Sequence, residues 1–243
     1  TSSSIRVKNG PLWPVFGFMG CSASHYPLTS RFMSHTSPAC TIPCELRDYP
    51  EWHHGRQMYC VWTLPVRDRR VLERLQAAQQ QLSPWLHQGY RRQAHVTLFV
   101  CGFDAQVRHR DDDFTRQMQL LQCEAMEMLA QASFSLSIGG LDSFASAPYL
   151  QVSDPEAVLP WLRDTLQRIS PEIRQADYVP HLTVGLYRQA VPWPQLQARI
   201  SAFDHAEPLT LQVSELQLCC YHASELFGPL IPLRRIRLQP HPA

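Results

Sequence analysis

The pattern of hydrophobic and polar residues divides the chain into an irregular first part and a regular second part. Residues 1–56 are rich in Ser, Pro, Gly, His and aromatic residues and show neither a strand period nor a helix period. From Gln57 onward both periods recur. The pattern predicts an irregular N-terminal extension over 1–56 and one domain over 57–243. We expect the extension to pack its aromatic residues against the domain: Trp13, Phe16, Phe18, Tyr49 and Trp52.

Strands and helices alternate in the domain. Helices are predicted to begin at Asp68, at the acidic triplet Asp111-Asp112-Asp113 and at Asp154-Pro155-Glu156, because acidic side chains and Pro suit a first helical turn. Their predicted apolar stripes are Val71, Leu75, Ala78 and Leu82; Phe114, Met118, Leu121, Ala125 and Met128; and Val158, Leu162, Leu166 and Ile169. A short helix is predicted near 195–203, and strands near 58–64, 134–141, 148–152, 209–221 and 230–238.

Two further strands carry the same polar pattern. One contains His95-Val96-Thr97 and the other His181-Leu182-Thr183. Because side chains alternate across a strand, the histidine and threonine of each string share one face and the residue between them faces the other way. The first histidine follows the helix start at Asp68 by 27 residues (95 − 68), and the second follows Pro155 by 26 (181 − 155). This spacing indicates a repeated strand–helix–strand–helix unit.

The repeat predicts an α+β fold. Two pseudo-symmetric units with antiparallel sheets would pack as a bilobal structure and line a central cleft. Each unit would then bring its histidine and threonine to the shared cleft.

Composition excludes several classes of function. The 243 residues have a net charge of +1, so bulk charge gives no nonspecific attraction to nucleic acid. Lys8 is the only lysine. The domain therefore lacks a phosphate-loop lysine, a Schiff-base lysine and the lysine nucleophile of an ATP-dependent ligase. No segment has the length of a membrane span or the pattern of a signal peptide, and we expect a cytoplasmic monomer that does not contact membranes.

The eight cysteines show no Cys-x-x-Cys pair, and most lie in apolar runs, as buried free thiols do in a reducing compartment. Cys40 and Cys44 with His53 and His54 could bind a metal, as could the acidic triplet. We favour loop residues and a helix start respectively, and predict neither a metal nor a cofactor.

Paired histidines suit the cleavage of a phosphodiester. One imidazole can remove a proton from the attacking group while the other protonates the leaving oxygen. Threonine hydroxyls can donate hydrogen bonds to the non-bridging phosphate oxygens. The residues therefore predict catalytic roles for His95, His181, Thr97 and Thr183, with the assignment of base and acid left open.

The sequence resembles the two-histidine (2H) phosphoesterases, and in particular the LigT-like branch of "2′-5′ RNA ligases" or RNA 2′,3′-cyclic phosphodiesterases. The resemblance covers residues 57–238 and rests on both motifs, Pro180, Gly102 and the closing stretch 224–233. It implies a bilobal fold with the four motif residues in a central cleft. Many LigT-like members carry an arginine five residues after the second motif histidine, where this chain has Leu186; Arg188 and Tyr187 are the nearby alternatives.

The resemblance implies hydrolysis of a 2′,3′-cyclic phosphate at an RNA or oligonucleotide end. Two alternatives stay open: a phosphodiesterase of 2′-5′ oligonucleotides or small cyclic nucleotide signals, and a nucleotide- or RNA-binding module without turnover. Candidate substrate contacts are aromatic residues for base stacking and arginines before the first motif. They are Phe99, Tyr149, Tyr187, Arg91 and Arg92.

Overall fold

The computed structural model describes residues 39–174, 177–204 and 207–240. The strands are β1 (Met58–Pro65), β2 (His95–Ala105), β3 (Asp113–Thr115), β4 (Phe134–Ser143), β5 (Pro148–Ser153), β6 (His181–Thr183), β7 (Leu209–Val213), β8 (Glu215–His222) and β9 (Ile231–Arg237). The helices are α1 (Pro50–His53), α2 (Arg69–Leu82), α3 (Arg116–Met128), α4 (Val158–Gln167) and α5 (Trp193–Ser201), with a 3₁₀ turn at Ser83–Trp85. In this part of the chain no helix is long and apolar enough to cross a membrane.

All strands belong to one sheet, in the order β7-β4-β5-β6-β2-β1-β8-β9, with β3 added in parallel beside β2. Neighbours along this order are antiparallel. Strands β7, β4, β5 and β6 form one lobe, and β2, β1, β8 and β9 form the other. The predicted α+β fold with two related units is confirmed, but the two expected sheets are continuous because β6 pairs with β2.

Helix α2 shows how local sequence sets an element. Asp68 accepts a hydrogen bond from the Val71 amide at 3.1 Å and caps the helix, as predicted. Its predicted apolar stripe is buried. Arg74 is buried on the same face, where its guanidinium donates to the carbonyl oxygens of Ile138 and Glu207. A charged residue thus lies inside this stripe because backbone acceptors surround it.

Helix α3 departs from the prediction. Asp113 belongs to β3, and Thr115 caps the helix by accepting from the Met118 amide. The predicted stripe is wrong at Leu121 and Met128, which are 45% and 84% exposed. The buried residues of this helix are Gln119, Gln122 and Met126. The prediction assumed that buried positions are apolar. Gln122 is buried because its side-chain amide forms hydrogen bonds with Trp62 Nε1, the Leu166 carbonyl and the Ser170 hydroxyl.

The second lobe follows its predicted pattern more closely. Helix α4 begins at Val158, later than predicted, and Asp154 accepts from the Leu159 amide at 2.7 Å. It buries Leu159, Leu162 and Leu166. The predicted strand over 209–221 is divided between β7 and β8, which lie in different lobes.

Strand β2 contains two register shifts opposite β1. Trp62 pairs with Phe99, whereas the next residue, Thr63, pairs with Thr97. Leu98 is therefore an extra residue on β2, and a bulge of this kind reverses the side-chain alternation beyond it. A second shift follows between Cys60 and Val61.

Beyond the bulge, side chains and a loop cover the edge of β2 that the short β6 leaves unpaired. Arg163 donates to the Leu98 carbonyl, and Glu172 accepts from the Val100 amide. The Ile173 amide donates to the Val100 carbonyl. Gly102 has a positive φ of 115° and has the Asp112 carbonyl so close that a Cβ would overlap it, so this position requires glycine. The two bonds to Val100, from Glu172 and Ile173, hold the segment before β6 against the other lobe.

The described part of the extension packs on the domain. The amides of Thr41 and Cys44 donate to the carbonyls of Val191 and Tyr187. Tyr49 is buried, and Trp52 packs on Tyr59 and Phe103. Trp13, Phe16 and Phe18 lie outside the described residues.

Candidate active site

The two motifs meet where the lobes join. Val96 of β2 pairs with Leu182 of β6 in antiparallel register. Continuing this register by one residue in each direction sets His95 opposite Thr183 and Thr97 opposite His181. Side chains directly opposite in an antiparallel pair are about 5 Å apart at Cβ. The four predicted catalytic side chains therefore form one group, which we call the motif face: His95, Thr97, His181 and Thr183.

Helices α2 and α4 lie on the other side of the sheet. Val96 and Leu182 belong to the main core together with Leu75 of α2 and Leu162 of α4. Because alternate side chains point to opposite faces, the motif residues point away from this core. Thr97 and Thr183 are partly exposed.

The two imidazoles are held in the same way. Nδ1 of His95 lies 2.7 Å from the Gln93 carbonyl oxygen, and Nδ1 of His181 lies 2.7 Å from the Val179 carbonyl oxygen. In both cases the carbonyl belongs to the residue two positions earlier. A carbonyl can only accept, so each Nδ1 carries the proton and each Nε2 is left with a lone pair for chemistry.

Burial makes both histidines weak bases. Each side chain is largely withdrawn from water, and this desolvation lowers the pKa of both His95 and His181 from 6.5 to about 4. The nearby charges of Arg92 and Arg174 contribute to the lower pKa of His95 and His181 respectively. Both imidazoles are thus neutral at pH 7 in the free protein, and an anion between them would raise both pKa values.

Tyr149 lies beside the motif face. It pairs with Thr183 across β5 and β6, and its ring centroid is 5.7 Å from that of His181 in an edge arrangement. Phe144 stacks on Tyr149 at 4.1 Å and meets His181 at 5.0 Å. The Tyr149 hydroxyl donates to Asp142 at 3.1 Å, and burial raises its pKa. The rings of Tyr149 and Phe144 pack against the His181 imidazole and limit its rotation.

The prediction that Phe99 contacts the substrate is wrong. The bulge at Leu98 turns Phe99 toward the helices, where it is 0% exposed and packs in the main core. It is therefore a core residue and is not accessible for base stacking.

Tyr187, another predicted substrate contact, is also a core residue. Strand β6 ends at Thr183, so strand alternation does not extend to Tyr187. Its ring is fully buried in the main core with Val184, and its hydroxyl is 2.6 Å from the Ser143 hydroxyl. Leu186 is buried, and the Arg188 guanidinium donates to the Pro84 carbonyl.

The two arginines before the first motif have different surroundings. Arg91 is exposed and lies 3.6 Å from Glu225. Arg92 is buried, donates to the carbonyls of Leu226 and Gly228, and lies over the Tyr221 ring at 3.9 Å. Arg92 thus binds the loop before β9 to the segment that precedes the first motif.

Three neighbours of the motifs are not among the predicted site residues. Phe144 and Arg174 lie in loops without a periodic pattern, and Tyr178 lies in the segment before the second motif. Tyr178 donates its hydroxyl to the Thr97 carbonyl at 3.0 Å and so ties the segment before the second motif to the first. The closeness of Arg174 and Tyr178 to Pro180-His181 in sequence was the only available signal.

The seven cysteines in the described part of the chain are not arranged as metal ligands. Within 39–174, 177–204 and 207–240, no group of three His, Cys, Asp or Glu side chains is placed to hold a metal ion.

Burial raises the pKa of the thiols of Cys44, Cys60 and Cys101, which makes them poor nucleophiles. Asp112 and Asp113 of the acidic triplet pair with Arg56.

Comparison with known proteins places this arrangement in a family. The family model described as the 2′-5′ RNA ligase superfamily matches residues 65–225. The fold is similar to that of TT0787 of Thermus thermophilus, with a TM-score of 0.51, 14% identity and coverage of 76% of this chain and 100% of that one. E. coli LigT complexed with 3′-AMP gives a TM-score of 0.49 and 14% identity, over 76% of this chain and 99% of LigT. No protein with a curated description matches the chain in sequence. The family match covers well over half of the chain and includes both motifs, so the chain belongs to the 2′-5′ RNA ligase superfamily of 2H phosphoesterases.

Proposed function

We propose that the protein is a metal-independent phosphodiesterase that hydrolyses a 2′,3′-cyclic phosphate at an RNA or oligonucleotide end. The observation that carries this proposal is the register of β2 and β6, which sets each motif histidine opposite the threonine of the other motif. One phosphate between the strands can therefore meet two imidazoles and two hydroxyls at once.

Each side chain has a role in the proposed reaction. Nε2 of one histidine accepts a proton from water as the water oxygen attacks phosphorus. The bond from phosphorus to one ribose oxygen breaks, and the other histidine donates a proton from Nε2 to that oxygen. Thr97 and Thr183 donate hydrogen bonds to the non-bridging oxygens and stabilise their charge. The product is a ribose phosphomonoester with one free hydroxyl, and the two histidines have exchanged protonation states.

The lowered pKa values fit this cycle when substrate is bound. A histidine with a pKa of about 4 is a base, not an acid, at neutral pH. The anionic phosphate raises the pKa of both imidazoles, which allows one of them to be protonated in the complex. Substrate binding thereby favours uptake of a proton from solvent by one histidine, which can then donate it to the leaving oxygen.

The test is an assay of the protein with EDTA present. Substrates are an oligonucleotide ending in a 2′,3′-cyclic phosphate, a 2′-5′ linked oligonucleotide and small cyclic nucleotides. We expect the first to be cleaved most efficiently, and His95→Gln and His181→Gln each to lose roughly 10²- to 10⁴-fold. His222→Gln, at an exposed position on β8, is the matched control and should keep full activity.

Other outcomes would redirect the proposal. Preferred cleavage of the 2′-5′ linkage or of a small cyclic nucleotide would keep the site and change the substrate. Tight binding of a 2′-nucleotide without any hydrolysis would favour a binding module. Activity that requires an added divalent metal, or that survives in His95→Gln, would contradict the mechanism.

A further inference from the structure

Arg174 is a buried arginine close to the second motif. Its side chain is only 6% exposed. The preceding residue, Ile173, is bonded through its amide to the Val100 carbonyl of β2, and Tyr178 of the same segment donates to the Thr97 carbonyl. Arg174 therefore lies beside β2, along the stretch that begins at the first motif threonine.

The guanidinium has a single acceptor among the described residues, and its Nη groups are open to solvent. Nε of Arg174 donates to Glu172 Oε1 at 3.1 Å, and the Tyr178 ring centroid is 5.2 Å away. In the described part of the chain, Glu172 is the only acceptor that contacts this guanidinium. The four N–H groups on Nη1 and Nη2 have no acceptor there.

The charges of this cluster do not cancel. Arg163 also bonds Glu172, with Nη2 at 2.6 Å from Oε2, and donates to the Leu98 carbonyl. Two guanidinium groups thus share one carboxylate, whose pKa is lowered by both. One positive charge among these three groups is therefore not neutralised, and an anion beside the Arg174 guanidinium would be stabilised by it.

Arg174 is near enough to His181 to influence its titration. Its charge contributes to the lowered pKa of that imidazole. Other arginines near the motifs are already engaged: Arg92 with the carbonyls of Leu226 and Gly228, and Arg188 with the Pro84 carbonyl. The position five residues after His181 is Leu186, which is buried.

We propose that Arg174 binds a non-bridging oxygen of the substrate phosphate on the His181 side, through its Nη groups. This inference rests on the proposed function, in which that phosphate lies between the motif histidines. Glu172 accepts a hydrogen bond from Nε, so both Nη groups remain available to the anion. Arg174 is thus a substrate-binding residue supplied by the loop before β6.

Binding of inorganic phosphate and of 2′-AMP, measured by calorimetry, tests the inference without turnover. We expect Arg174→Gln to weaken binding of both by roughly 10- to 100-fold, as loss of a charged hydrogen bond does. Arg174→Lys should recover part of the affinity. Arg188→Gln makes the same change of charge at an exposed arginine and should bind like the unchanged protein. Equal affinity in Arg174→Gln and Arg188→Gln would overturn the inference.

Kinetics separate this inference from the proposed function. If the protein hydrolyses the cyclic phosphate and Arg174→Gln leaves kcat/KM unchanged, the inference fails and the function stands. If no cyclic phosphate is hydrolysed but phosphate binding depends on Arg174, the function fails and the anion site stands.

The unchanged protein offers a readout if Arg174→Gln does not fold. A crystal structure with 2′-AMP bound should show a phosphate oxygen within hydrogen-bond distance of an Arg174 Nη atom. A phosphate bound between the histidines with no contact to Arg174 would overturn the inference.

Discussion

Val96 lies directly opposite Leu182 at the boundary between the two lobes, and each is the residue between the histidine and threonine of its motif. The pair is fully buried on the helix side of the sheet. Because strand alternation is strict here, packing of this apolar pair turns all four motif side chains to the other face. The hydrophobic core thus sets the geometry of the candidate site.

Truncation of either residue of this pair should lower the stability of the fold and disturb the positions of the motif side chains. We expect Leu182→Ala to lower the free energy of unfolding by about 2–5 kcal/mol, because it leaves a cavity in the core. Urea denaturation measures the change. Leu121→Ala, at a position 45% exposed on α3, is the control and should change stability by less than about 0.5 kcal/mol. A loss for Leu182→Ala no larger than for Leu121→Ala would contradict this role.

The motif threonines should matter for activity more than for stability. Thr97 and Thr183 are partly exposed, and in the proposed reaction their hydroxyls donate to the phosphate. We expect Thr97→Val and Thr183→Val to lower kcat/KM for a cyclic phosphate by roughly 10- to 100-fold, the loss of one hydrogen bond to a charged group. Thr210→Val, on the exposed side of β7, is the matched control. Full activity in both motif variants would exclude a phosphate contact.

The buried histidines should make stability depend on pH. In the unfolded chain both titrate near pH 6.5, and in the folded protein near pH 4. Between these pH values the histidines bind protons in the unfolded chain but not in the folded chain. The free energy of unfolding is therefore highest above pH 6.5 and falls as the pH is lowered toward 4. The loss is roughly 3 kcal/mol for each histidine.

Comparison of variants isolates this effect from carboxylates that titrate in the same range. His95→Gln and His181→Gln should each flatten the fall in stability between pH 6.5 and 4, measured by denaturation at several pH values. His222→Gln should follow the unchanged protein. An identical pH dependence in all the variants would show that the motif histidines are not buried as described.

Tyr149 is expected to act through His181. Its hydroxyl is bonded to Asp142, and its ring borders the imidazole. Tyr149→Phe keeps the ring and should retain kcat within about 3-fold, whereas Tyr149→Ala should lower kcat by roughly 10-fold or more. In Tyr149→Ala the His181 pKa, followed by NMR, should rise toward 6.5 because water reaches the ring. An unchanged His181 pKa in that variant would remove Tyr149 from this positioning role.

Local sequence predicted the elements that depend on local interactions. Asp68 caps α2 because a carboxylate beside free amides is favourable in any context. The His-x-Thr strings keep their faces because no bulge falls within either of them. The repeat spacing predicted that the two strings would meet. The family resemblance predicted from the same motifs is confirmed.

The predictions failed where tertiary contacts override the hydrophobic periodicity of a strand or helix. The bulge at Leu98 moves Phe99 to the core, and a bulge has no signal in hydrophobic alternation. Gln122 is buried on α3 because distant partners satisfy its amide, so a polar residue occupies a place that the pattern gives to apolar ones. Arg174 lies in a loop whose course depends on contacts with β2, and sequence periodicity carries no signal for such a loop.

The pH dependence of kcat/KM for an oligonucleotide 2′,3′-cyclic phosphate tests the central claim most directly. If both motif histidines act on one phosphate, the profile is bell-shaped, with two apparent pKa values that belong to the pair. His95→Gln and His181→Gln should each retain only residual activity and lose one arm of the bell. A profile with a single titration, or a full bell in either variant, would contradict paired-histidine catalysis.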